Sequence, residues 1–328
     1  MRLMRLSALR LLGLVVVLAV VAAGCGGGGS AGGGAGGGAG NVGGGEALFL
    51  SGLEITVGSK EFTEQLILGQ IAIQALEAAD ATVTDRTGLA GTEAAREALE
   101  SGEIDMYWEY TGTGWIVHLG HEEPIPDSQK QYEAVAEEDL AKNRIRWLKP
   151  APANDTFAIA VRSEAAGVLG VTNLSELAVL SELRPEDTTL CAASEFLTRE
   201  DGLPGMEKAY AFELPNDNIV KMEEGQVYQA IDEGDQCNFG EVFTTDGRIK
   251  RLDLTVLEDD KQFFPIYNPS LNVRKEVMDD YPKIADIFAP ITEKLDNETL
   301  EELNAAVDVD GESPEDVARQ FLRDNGFL

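Results

Sequence analysis

Leu53-Glu54-Ile55-Thr56-Val57-Gly58-Ser59-Lys60-Glu61-Phe62-Thr63-Glu64 is the stretch on which the fold turns. Residues 53–57 alternate apolar and polar side chains, the period of a half-buried strand, and Gly58-Ser59 ends that alternation. Beyond the break, Glu61–Ala79 carries Phe62, Leu66, Ile73 and Leu76, which predicts a helix with those side chains in the core. The same alternation continues outward. Thr82–Thr84 reads as a strand, Thr92 as the cap of a helix that stops at Gly102, and Ile104–Tyr107 as the next strand. Further strands are expected at Phe157–Val161, Thr189–Ala193, Asn238–Val242 and Leu254–Leu257. Ser313-Pro314-Glu315-Asp316 starts a last helix, and Gly326 stops it. Strand–helix alternation predicts α/β layers with mainly parallel sheets.

The N-terminal side is different in kind. Arg2, Arg5 and Arg10 precede an apolar run, Leu11–Ala23, that is shorter than the roughly 20 residues of a membrane-crossing helix and suits a secretory signal. It ends in Val21-Ala22-Ala23-Gly24-Cys25, which resembles a bacterial lipoprotein processing signal; an uncleaved anchor and an ordinary secretory signal are the alternatives. Residues 1–24 are therefore expected to be removed, Cys25 to be lipidated, and residues 25–52, almost all Gly and Ala between Gly26 and Gly45, to form a flexible tether. This places the protein outside the cytoplasm, held to the outer face of the cell membrane.

The 328 residues carry 26 Lys and Arg against 58 Asp and Glu, a formal charge of −32, which becomes −35 once residues 1–24 and their three arginines are gone. Such an excess repels phosphate backbones, so nucleic-acid binding is excluded as an expectation. Three Cys and two His make no recognisable zinc framework, and neither a metal nor a cofactor is expected. With Cys25 assigned to lipid, Cys191 and Cys237 remain. Export permits a disulfide between them, the favoured reading, and two buried thiols are the alternative.

Residues of interest sit repeatedly just beyond an expected strand: Lys60, Glu195 after Thr189–Ala193, and Phe243 after Asn238–Val242. In open α/β sheets such positions converge on one crevice. Aromatics cluster in the same way. Asp105–Trp115 holds four, Asn154-Asp155-Thr156-Phe157 puts one at a strand entrance, Glu241–Arg248 another beside a turn, and Phe263–Pro269 supplies Tyr267. Converging rings bind a bulky cation through their negative faces, without hydrogen bonds.

Gly58–Glu64, Asp105–Thr113, Ser194–Arg199, Phe243–Arg248 and Tyr267, in this order, resemble the glycine betaine/choline/carnitine substrate-binding proteins of ABC importers, a ProX/OpuAC-like family. The resemblance covers Leu53–Leu328. It implies a two-lobed periplasmic-binding-protein fold (type II), each lobe a mainly parallel sheet flanked by helices, with the ligand cleft between lobes. Lobe one would combine 53–155 with 264–328, and lobe two would be 156–263. Carried onto this chain, Tyr110, Phe157, Phe243 and Tyr267 form a cage for a trimethylammonium group. The Asp155 carbonyl adds a dipole, Glu195 adds negative potential, and Lys60, Thr113 and Arg199 hold a ligand carboxylate. Better-known members place tyrosines where this chain has Phe157 and Phe243. The implied protein is a monomeric receptor, not an enzyme, that delivers a quaternary ammonium compound to a permease. Glycine betaine is favoured over choline, with carnitine and proline betaine in the same class.

Two other readings of the same residues exist. One keeps the receptor and changes the ligand to another cationic or amino-acid solute. The other is an extracytoplasmic enzyme using His118 and His121; no nucleophile elbow, zinc-ligand set or phosphate loop accompanies them, and a surface loop is the expected setting.

Overall fold

A computed structural model describes residues 50–328. The expected signal segment 1–24, Cys25 and the tether through residue 49 lie outside the described residues. Among the described residues no helix is long and apolar enough to cross a membrane.

Among the described residues, ten strands form two sheets of five. β1 (Glu54–Lys60), β2 (Thr82–Leu89), β3 (Met106–Tyr110), β4 (Ile145–Trp147) and β10 (Pro269–Arg274) make the first sheet, in the order β2-β1-β3-β10-β4. β5 (Phe157–Arg162), β6 (Leu190–Ala192), β7 (Ile219–Lys221), β8 (Phe239–Phe243) and β9 (Leu254–Val256) make the second, in the order β7-β6-β8-β5-β9. The chain therefore crosses between sheets twice, after β4 and after β9. The two crossings are bonded to each other: the Asp155 amide donates to the Tyr267 carbonyl at 3.0 Å, and the Tyr267 amide to Asn154 Oδ1 at 2.7 Å. This is the expected two-lobed α/β architecture.

Three expectations are refined. Four of the five strands in each sheet run the same way, and one strand runs against them. β1 pairs in parallel with β2 and β3, but β10 runs antiparallel to β3 and β4; likewise β6 is parallel to β7 and β8, while β5 is antiparallel to β8 and β9. The strand that enters each sheet directly from the other lobe arrives without a helical crossover, so nothing imposes the parallel direction on it. Secondly, helix α1 spans Thr63–Ala78 and leaves Phe62 in extended conformation ahead of it. Ile73 and Leu76 are in the core as expected, together with Ile67, Leu68 and Ile71, packed with Val57, Trp108 and Phe288, while Leu66 is half-buried. Thirdly, Thr92 is the first residue of α2 (Thr92–Ser101) rather than its cap; α2 does stop at Gly102, whose φ of +80° only glycine adopts freely.

The register of the inserted strands aligns the site. Phe157 pairs directly with Phe243 across β5 and β8, and Pro269 pairs with Tyr110 across β10 and β3. The C-terminal ends of the parallel strands and the N-terminal ends of the antiparallel ones thus share one rim in each sheet. The core of the second sheet is tied by a Cys191–Cys237 disulfide, with Cα atoms 5.7 Å apart.

Candidate functional site

The two rims face a cavity of about 690 Å3, and all nine candidate ligand residues line it: Lys60, Tyr110, Thr113, Asp155, Phe157, Glu195, Arg199, Phe243 and Tyr267. Phe157 and Phe243 stack with ring centroids 5.2 Å apart, and Phe157 meets Tyr267 edge-on at 5.7 Å. A fifth ring, Phe62, stacks on Phe243 at 5.3 Å and on Tyr110 at 6.3 Å. Rings from both sheets therefore form one continuous arc, Tyr110–Phe62–Phe243–Phe157–Tyr267. Tyr267 fits against the chain only because residue 112 is glycine; a Cβ there would lie 2.7 Å from its ring.

The two tyrosines are aimed by their hydroxyls. Tyr110 donates to Glu64 Oε1 at 2.8 Å, and Tyr267 donates to Asp201 Oδ2 at 2.6 Å. The phenylalanines have no such bond; strand register and stacking place them, and the Arg199 guanidinium lies 5.2 Å from the Phe157 ring centroid.

The two candidate cations are held in different ways. Lys60 is buried, not a solvated surface lysine, and donates to Glu109 Oε1 at 2.8 Å. Glu109, from β3, also accepts the Tyr110 amide, the Tyr107 hydroxyl and His118 Nε2. Burial alone would raise its pKa, but the Lys60 ammonium and the His118 bond hold it far below the ordinary carboxylate range. One of Lys60's three N–H donors is thus engaged. In Arg199, by contrast, all three nitrogens already meet protein acceptors. Nε and Nη2 grip Asp201 at 2.8 and 2.6 Å, and Nη1 reaches Glu195 at 3.1 Å, four residues back on the chain. Thr113 is buried on the cavity wall, and its hydroxyl takes part in no hydrogen bond among the described residues.

Glu195 bridges the lobes. Its carboxylate accepts the Thr92 amide at 2.6 Å and the Thr92 hydroxyl at 2.8 Å, so it supplies from the second lobe the cap that α2 lacks in the first. Burial would raise its pKa; Lys60, the Thr92 amide and Arg199 together lower it.

Asp155 and Glu64 form a second bridge. Thr245 Oγ1 lies 2.7 Å from Asp155 Oδ1 and 2.7 Å from Glu64 Oε2, and Asn304 Nδ2 reaches the same Glu64 oxygen at 3.1 Å. A hydroxyl has one hydrogen to donate. One of the two carboxyls therefore carries a proton and donates it to Thr245. Burial pushes both pKa values up, and for Asp155 the neighbouring Glu64 charge adds to the rise.

The histidines are not both on a surface loop. His118 is buried against Glu109, and burial lowers its pKa, whereas His121 stacks on Trp115 with centroids 3.5 Å apart and bonds to Glu138. Of the aromatics in Asp105–Trp115, Tyr107 and Trp108 fill the core and only Tyr110 lines the cavity. Phe62, Glu64, Glu109 and Asp201 were not among the expected site residues. Phe62 alone carried a signal, since it stands at a strand-to-helix junction two residues from Lys60.

Residues 54–324 match the family described as the substrate binding domain of ABC-type glycine betaine transport systems. A "Glycine-betaine-binding protein" of Pseudomonas aeruginosa is 43% identical over 290 residues, covering 86% of this chain and 92% of that protein. An ergothioneine transport permease/ergothioneine binding protein of Helicobacter pylori is 34% identical over 83% of this chain and 48% of that longer protein. The solved structure of apo YehZ from Escherichia coli superposes with a TM-score of 0.63 at 34% identity, covering 84% of this chain and 99% of that one. With this fold and this match along most of its length, the chain belongs to the substrate-binding proteins of ABC-type glycine betaine transport systems.

Proposed function

We propose that this chain captures a quaternary ammonium solute of the betaine type in the ring-lined cavity and delivers it to the permease of an ABC importer. The lobes in this reading are 53–155 plus 264–328 and 156–263. The observation that carries it is the arc of rings drawn from both sheets. A trimethylammonium group offers no N–H, so carboxylates and carbonyls cannot grip it directionally, while each ring face contributes about 0.5–2 kcal/mol. Tyr110, Phe62, Phe243, Phe157 and Tyr267 surround the ammonium, and Glu195 and the Asp155 carbonyl add negative potential. Lys60 and Thr113 have donors to spare for a ligand carboxylate. Arg199 enters mainly as the clamp on Asp201, and through it on Tyr267. Closure of the two lobes on the solute excludes water and forms the shape the permease receives.

Cys25 is proposed to be lipidated, so that the receptor works as a tethered monomer on the outer face of the membrane; the support is the Val21–Cys25 pattern and the Gly-rich stretch behind it. Calorimetric titration with glycine betaine, proline betaine, carnitine and choline tests the ligand class. Heat and a thermal shift with at least one are expected; silence from all four contradicts it.

A further inference from the structure

The two bridges at the cavity differ in their supply of hydrogens. Glu195 is a carboxylate facing two donors, the amide and the hydroxyl of Thr92, and needs nothing more. The bridge of Glu64, Thr245 and Asp155 is one hydrogen short. Thr245 Oγ1 lies 2.7 Å from Glu64 Oε2 and 2.7 Å from Asp155 Oδ1, and a hydroxyl donates only once. Glu64 is the better supplied acid: Oε1 accepts the Tyr110 hydroxyl at 2.8 Å, and Oε2 accepts Asn304 Nδ2 at 3.1 Å. Besides Thr245 Oγ1, the Asp155 carboxyl meets only the Thr245 amide, at 3.5 Å, among the described residues. The extra proton therefore sits on Asp155, which donates to Thr245, which donates in turn to Glu64. Donors are scarce around them. Asn304 is 4% exposed and its Oδ1 has no partner among the described residues, while the void beside it, about 10 Å3, is about the space of one water.

The charges that face this pair do not replace the proton. Glu224, Asp246 and Asp308 line the same void and add negative potential. The one guanidinium there, Arg248, has Asp246 Oδ1 2.9 Å from its Nε and Asp308 3.4 Å away. The Lys60 ammonium lies 5.3 Å from the Tyr110 ring centroid but is bonded to Glu109. Burial raises the pKa of both acids, and the Glu64 charge raises Asp155 further. In the lobe assignment proposed above, Glu64 and Asn304 belong to lobe one, Thr245 follows β8 in lobe two, and Asp155 stands on the crossing between them. Opening draws Thr245 away from Glu64 and admits water to both acids, which then ionise at neutral pH. We propose that lobe closure takes up one proton from water along with the solute, held on Asp155 and shared through Thr245 with Glu64, and that opening returns it. This rests on the two-lobed capture reading and adds a second ligand to it. The closed form binds the proton more tightly than the open one, so solute affinity is highest at acidic pH and falls as pH rises.

Titration calorimetry of the purified protein with glycine betaine, proline betaine, carnitine and choline, each in phosphate and in Tris buffer, tests this. The two buffers release their protons with different heats, so the difference in binding heat counts the protons taken up. At about pH 7.5 an uptake of at least about half a proton per solute bound is expected, and affinity should fall at least about fivefold from about pH 6 to about pH 8. Asp155→Asn, whose amide gives Thr245 its hydrogen permanently, is expected to cut the uptake below about 0.2. Glu64→Gln does the same from the other side where the first variant fails to fold. Glu241, buried in β8 on the cavity wall and pushed up to about 7, titrates in the same range, so Glu241→Gln must leave the uptake in place. Binding without uptake overturns the inference and leaves the ring cage standing. An uptake that survives both bridge variants, or vanishes with Glu241→Gln, overturns it too. No heat from any of the four solutes sinks the capture reading and this inference with it.

Discussion

The two rims of the cavity come from sheets of the same topology, yet they orient their rings by different means. On the first rim, Tyr110 at the end of β3 and Tyr267 on the crossing just before β10 are fixed by hydroxyls donated to the buried carboxylates Glu64 and Asp201. On the second, Phe157 and Phe243 have no hydroxyl; direct cross-strand pairing and a 5.2 Å stack fix them, with the Arg199 guanidinium over the Phe157 ring. Packing defines a ring plane through many weak contacts; a hydroxyl bond defines it through one strong contact that can be removed singly. The first rim should therefore be sensitive to the loss of a single atom, and the second to the loss of a neighbour.

The largest expected effect falls on the second lobe's scaffold. Reducing Cys191–Cys237, which closes 46 residues of chain, should lower stability by about 4 kcal/mol in the chain-entropy account. Chemical denaturation with and without reductant measures it, and an unchanged midpoint would show that the first lobe limits stability instead. Next comes ring removal. Tyr110→Ala or Phe243→Ala should weaken betaine binding by about 2 kcal/mol, near thirtyfold, by calorimetry. Smaller still is Tyr110→Phe, which keeps the ring but removes the donor to Glu64 Oε1, at about 1 kcal/mol. Phe243→Tyr, adding a hydroxyl to a ring that packing already holds, should leave affinity within about threefold. Equal losses from Tyr110→Phe and Phe243→Leu would erase the distinction between the rims.

The smallest effect is on pH. Glu241 titrates near 7 when folded against an ordinary 4.5, so the folded protein binds the proton more tightly than the unfolded chain. Its contribution to stability is complete below about pH 4.5 and is lost as pH rises through about 7. Glu64 and Asp155, also raised by burial, act in the same direction. Thermal melts of the ligand-free protein should fall across that window, and Glu241→Gln should flatten the slope.

Much of this site was legible from strand ends. Lys60, Glu195 and Phe243 stand just beyond a strand, and that position directs them to the crevice; Phe157, at a strand entrance, reaches the same rim only because β5 runs antiparallel. The partners that set their chemistry were not legible. Lys60 meets Glu109 across 49 residues of chain, Tyr267 meets Asp201 across 66, and Glu64 meets Thr245 across 181. No local pattern encodes pairings of that range. β10 is not among the expected strands for a related reason: Pro269, Ser270 and Asn272 interrupt any apolar alternation, and they form a central strand because its two neighbours and buried partners such as the Leu148 carbonyl satisfy them. Phe62 was assigned to a helical core because hydrophobic spacing cannot tell the last residue before a helix from the first within it.

The central claim is that rings of both lobes enclose one methylated ammonium. A crystal structure with a bound betaine tests it most directly. The account predicts the quaternary nitrogen within about 6 Å of ring centroids from both sheets, Tyr110 or Tyr267 on one side and Phe157 or Phe243 on the other. A nitrogen seated against the rings of one sheet alone, or outside this cavity, would contradict it.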